Sequence, residues 1–306
     1  MDGLTALFGA VAAGDVEGTR VLLRRSDAHT YVDAYDADGA TPTYVAAALG
    51  HTAVVELLAD EGGADIARAT RADATALLVR EWQDVPPPPA RLGQEDGGAS
   101  PLYIAARNGW ADTVRALIER GVDVNQTKAN GTSALLGAAG DGRLEATKVL
   151  LAHGGQVDLA ASNGTTPVYI ASFQGFDAVV QALLAAGAAV NHRVQNGATP
   201  ILIASHAGHT STVRVLVAAG GDATLSANNG TSPVYVAAYA GYLETIKVLV
   251  ANGGCVNQVR KRSTRGAGGG GGGGSRRSLA SEWSVWDGAL PAPAKPVRWA
   301  IEECVA

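Results

Sequence analysis

The residues of this 306-residue chain with the widest chemical reach are six histidines, two cysteines, a glycine run and a basic stretch. A structural zinc site needs four Cys or His at short, fixed spacings. The scattered histidines, with Cys255 and Cys304, offer no such set. The run Gly268–Gly274 lacks the lysine and the strand-to-helix setting of a phosphate loop. No serine stands in the glycine-flanked elbow of a hydrolase nucleophile. The expectation is a chain that is not an enzyme, with no catalytic residue, no cofactor and no metal. A different pattern does stand out: Phe173, His206 and Tyr239 follow one another at one constant interval. Rings at a fixed period need a repeating frame to hold them.

That frame is legible. Pro101, Ala134, Pro167, Pro200 and Pro233 succeed one another at the same interval as the rings, each followed by a small apolar run. An earlier copy starts at Gly39, and a looser one opens the chain at "LTALFGAVAAG". Asn-Gly at 130–131, 163–164, 196–197 and 229–230 supplies the positive φ of a tight, hairpin-type turn. Thr166, Thr199 and Ser232 are placed to cap a following helix, and the proline after each suits the first helical position. A first helix such as Val168 to Gln174 stops at Gly175. A second carries Val179, Val180, Leu183 and Leu184 at helical spacing and ends at Gly187. Ala171, Ala204 and Ala237 recur where the two helices approach closely. So short a helix pair cannot bury its apolar face alone, and the copies must stack.

The pattern T-P-x-Y-x-A-A, then G-x-x-x-x-V-x-x-L-L, then G-A-x-V-N resembles the ankyrin repeat over roughly residues 1–259. The resemblance implies an all-α solenoid of helix-turn-helix units joined by hairpin-like loops. It also implies a protein–protein interaction scaffold or adaptor whose partner lies in a concave groove. The family's usual histidine two places after the proline is here Tyr44, Tyr103, Tyr169 and Tyr235, or Leu136 and Leu202, a variation in packing. Carried over position by position, the contact face of the first helices is Arg107, Asn108, Asp141, Phe173, Gln174, His206 and Tyr239. The hairpin row is Thr127, Lys128, Ser162, Asn163, His192, Arg193, Gln195, Asn228 and Asn229. Aromatic rings flanked by Arg and amides have the composition of interface anchors; rings that only pack across neighbouring repeats are the other reading. The resemblance further marks Asn125, ending "LIERGVDVN", as a candidate for asparaginyl hydroxylation, with Asn191 and Asn257 in the same place. The alternative role is a regulatory or substrate-recruiting subunit of a larger enzyme assembly, such as a ubiquitin-ligase adaptor.

The array is irregular between Pro42 and Pro101, which stand nearly two periods apart. "RADATALLVREW" (71–82) reads as the opening of a copy whose second helix never arrives, because four consecutive prolines follow. This divides the chain into N-terminal repeats (1–82), a proline-rich linker or insert (83–96) and C-terminal repeats (97–259). The proline segment is a linker, a polyproline stretch offered to a partner, an inserted loop, or sequence absent from the protein in the cell. Residues 260–306 are glycine-rich and aperiodic, and are expected to form a disordered tail. Within it, "RKRSTR" (260–265) is a solvated charge run, a nuclear import patch or a kinase site at Ser263. Trp283, Trp286 and Trp299 are candidates to fold back over the last repeat.

Charge and compartment complete the expectation. The tail's eight Lys or Arg against four Asp or Glu give it +4, so the remainder of a chain at −5 carries −9. An acidic body is not the electrostatic footprint of a nucleic-acid binder. No apolar run approaches the ~20 residues of a membrane span. The opening apolar stretch follows Asp2 with no basic residue, unlike a signal peptide. Two cysteines make no disulfide framework. The chain is expected to act as a monomer in the cytoplasm or nucleus.

Overall fold

The computed structural model describes residues 3–71 and 98–255. Fourteen α-helices run in pairs along the chain among these residues. They are α1 (Gly3–Ala13) with α2 (Val16–Leu23), α3 (Pro42–Leu49) with α4 (Thr52–Asp60), and α5 (Pro101–Asn108) with α6 (Ala111–Glu119). Next come α7 (Ala134–Gly140) with α8 (Leu144–Ala152) and α9 (Pro167–Gln174) with α10 (Asp177–Ala185). The last are α11 (Pro200–Ala207) with α12 (Thr210–Ala218) and α13 (Pro233–Ala240) with α14 (Leu243–Ala251). The interrupted copy at 72–82, the proline segment and everything expected of the tail lie outside the described residues.

Each pair is built by local signals. Ser133 accepts the Leu136 N–H at 3.2 Å, and Thr41, Ser100, Thr199 and Ser232 cap their helices in the same way. Thr166 does not cap: its hydroxyl is buried without a hydrogen-bond partner, so that expectation is corrected. The first helices end on left-handed glycines such as Gly175, at φ +77°. The Asn-Gly turns supply the expected positive φ, and it falls on the glycine alone, as at Gly131 with φ +79°. The asparagine instead accepts the N–H two residues on, as Asn130 does from Thr132 at 3.0 Å. These turns form hairpin-like loops with one isolated bridge, Thr127 to Ser133, and no strands among the described residues.

Stacking fills the core. Each inner first helix lies between its neighbours, and Pro101 to Ala106 of α5 are buried together. Small residues allow this approach: Ala46, Ala105, Ala138, Ala171, Ala204 and Ala237 are all at 0 % exposure. One hydrophobic cluster runs from Leu7 in α1 to Leu249 in α14, including Leu58, Leu117, Leu150, Leu183 and Leu216. Burying a leucine of this kind stabilises by about 1.5–3 kcal/mol.

Candidate functional site

The inner row of first helices and the row of hairpin tips hold the residues read as contacts. The hairpins are tied tip to tip. Ser162 N–H donates to Asn130 O at 2.9 Å and Asn228 N–H to Asn196 O at 2.9 Å. Side chains reinforce this: Gln195 Nε2 donates to Ser162 O at 2.6 Å, and Asn228 Nδ2 to Gln195 O at 3.0 Å. Arg193 Nη2 donates to Ser226 O at 2.8 Å, and His192 Nε2 lies 3.1 Å from Gly164 O. Each of these side chains thus spends part of its bonding capacity on holding the edge rigid. The exposed parts of Arg193 and Gln195 remain on that edge.

On the helix row, Arg107 and Asp141 face each other as an ion pair at 2.9 Å, and Arg143 Nε also donates to Arg107 O. Gln174 is exposed. Phe173, His206 and Tyr239 are each half-buried. Phe173 packs against a second cluster made by Tyr169, Val194, Ala198, Leu202, Ile203 and Ala227. Burial pushes the His206 imidazole below its ordinary pKa, and burial raises the Tyr169 phenol well above its own. Both rings are thus neutral at pH 7.

Two candidates do not belong to an open face. Asn108 is 4 % exposed and donates to Ala48 O at 2.8 Å, inside the junction of α3 and α5. Lys128 is buried, with Nζ 4.8 Å from the Tyr103 ring centroid. Asn125 is held at both ends of its amide. Nδ2 donates to Gly154 O at 3.2 Å, and Oδ1 accepts the Gln156 N–H at 2.7 Å. Asn191 repeats the arrangement on Gly220 and Asp222.

A second ladder escaped the sequence reading. The residue after each inter-helix glycine lies on the glycine of the preceding unit. His51 covers Gly14, Trp110 Gly50, Arg143 Gly109, Phe176 Gly142, His209 Gly175 and Tyr242 Gly208. A Cβ on Gly175 would lie 2.6 Å from His209 Nδ1, so only glycine admits the ring. The signal was the period itself, since positions 110, 143, 176, 209 and 242 are evenly spaced.

Among the described residues no cluster of three or more His, Cys, Asp or Glu is placed to hold a metal ion. No helix among them is long and apolar enough to cross a membrane. What the two rows offer is a rigid lattice of rings, amides and guanidinium groups, suited to adhesion.

Stacked helix pairs with a hydrogen-bonded hairpin edge define a repeat-solenoid protein. A family model described as ankyrin repeats (3 copies) matches residues 1–70, 71–161, 102–194 and 169–260, so the chain belongs to the ankyrin repeat family. Members of this family are generally protein–protein interaction modules, as the resemblance had implied.

Proposed function

We propose that this chain is a non-enzymatic scaffold that binds a protein partner through the inner helix row and the hairpin edge of α5 to α14. The observation that carries the reading is the register of Phe173, His206 and Tyr239: one half-buried ring on each of three adjacent first helices. Beside them stand the exposed Gln174, Arg193 and Gln195, on backbone fixed by tip-to-tip hydrogen bonds. Partly exposed aromatics next to Arg on a rigid frame are the usual carriers of interface energy, and truncating an anchor costs about 2 kcal/mol or more. Arg107 and Asp141 contribute at the other end of the row as a paired, salt-sensitive contact.

The test uses the full chain as bait, with captured partners identified by mass spectrometry and their Kd measured. Tyr239→Ala combined with Gln174→Ala is expected to weaken that Kd at least ~30-fold, while the melting temperature stays close to the parent's. Unchanged affinity in the double variant would remove the assignment of this face. Loss of affinity together with a large fall in melting temperature would make the rings core packing.

A further inference from the structure

We infer that the array is uninterrupted: the chain leaves it at Arg71 and re-enters at Gly98 within the tip of one hairpin, so the units on either side stack as direct neighbours and fold as one array. The register shows where the departure lies. Every other described hairpin is closed by an N–H reaching across a three-residue tip. The pairs are Asp36 to Ala40, Lys128 to Thr132, Ala161 to Thr165, Val194 to Ala198 and Ala227 to Thr231. In the irregular copy the same bond is made by Thr70 N–H to Ala99 O at 2.9 Å. Thr70 Oγ1 also accepts the Ala99 N–H at 3.1 Å. Gly98 has φ +78°, matching Gly39 at +76° and Gly131 at +79° in their tips. Arg71 N–H donates to Gly39 O at 3.0 Å, linking this hairpin to the one before it. Aligned in this way, Thr70 matches Lys128, Gly98 matches Gly131 and Ala99 matches Thr132.

No room is left in the stack for an extra helix pair, because the units on either side touch directly. Asn108 Nδ2 and Trp110 Nε1 both donate to Ala48 O, at 2.8 and 3.0 Å. Thr52 Oγ1 and Thr113 Oγ1 are 2.7 Å apart. Arg120 grips Asp60 through two bonds, at 3.0 and 2.8 Å, and Glu56 at 3.4 Å. Gln126 Nε2 reaches Ala67 O at 3.3 Å. Arg120 holds Asp60 below the usual carboxylate range through the same contact. Residues from α3 and α4 join those from α5 and α6 in one hydrophobic cluster. An interrupted copy would have separated these groups by the thickness of a helix pair.

The experiment replaces 72–97 by a single Asn in the full chain, restoring an Asn-Gly tip. The shortened tip closes over three residues like the other hairpins, so the folding equilibrium constant should be no smaller than the parent's. This is read by urea unfolding. Amide exchange should show α1 to α4 as protected as in the parent. Loss of protection in those helices, or a fall in the folding constant, would overturn the inference. A second measurement uses Leu117→Ala in α6, in the full chain. If the array is uninterrupted, protection falls in α4 as it does in α8. A variant that weakens α8 and leaves α4 untouched would show two separate blocks and refute the proposal.

Discussion

His206 sits where the physics of a single side chain has a readable consequence. Its ring is half-buried between the first-helix positions of Phe173 and Tyr239, and burial lowers its pKa. In the unfolded chain the imidazole titrates near 6.5. Well above about pH 6.5 both states are neutral, and the group contributes no pH dependence. As pH falls below that value the unfolded chain takes up the proton first, so stability is lost until the folded pKa is reached. The expected outcome is a melting temperature that drops between pH 7 and pH 5, with a smaller drop in His206→Gln. Equal slopes in the two proteins would mean that the burial of this ring is not what the pH senses. The spacing of His206 was plain in the sequence, but its burial was not. Burial depends on what units a full period away bring against it, as it does for Asn108 and Lys128.

At the scale of an element, legibility follows the range of the interaction. Caps made by one hydroxyl and one N–H, glycines at helix ends and alanines at close contacts act within a few residues, and the helix pairs were readable from them. The exception is informative. Thr166 has the backbone of an N-cap, with φ −99° and ψ 162°, yet makes no cap bond, and its hydroxyl is buried and unmet. Ser133 has a similar backbone and makes the bond. Ser133→Ala should therefore cost about 1 kcal/mol. Thr166→Val, which replaces an unmet hydroxyl by a methyl of similar size, should be neutral or slightly stabilising. Urea denaturation of the two variants against the parent measures the difference, and a Thr166→Val as costly as Ser133→Ala would place a missing partner on that hydroxyl. The glycine-on-ring ladder belongs to the same scale. Its glycines were read as helix stops, and the rings that need them came from the next unit.

At the scale of the whole array, each unit among the described residues packs mainly against its neighbours along the stack, so stability should be distributed as in a one-dimensional chain of coupled repeats. Leu7 in α1 and Leu150 in α8 are equally buried, both at 0 % exposure, and each loses comparable contact on truncation to alanine. The immediate cost of either is about 2–5 kcal/mol, but the consequences spread differently. Among the described residues Leu7 belongs to a unit with one neighbour: Leu7→Ala should release α1 and α2 and leave amide exchange in α9 to α14 unchanged. Leu150 lies between α6 and α10. Its loss removes the support on both sides, and Leu150→Ala should raise exchange in α6 and α10 together, dividing the inner row that the proposed partner spans. Binding of that partner should then fall with Leu150→Ala and persist with Leu7→Ala. If Leu7→Ala instead accelerated exchange as far as α14, the fold would be cooperating as a globule, and a linear array of adhesive units would be the wrong physical picture.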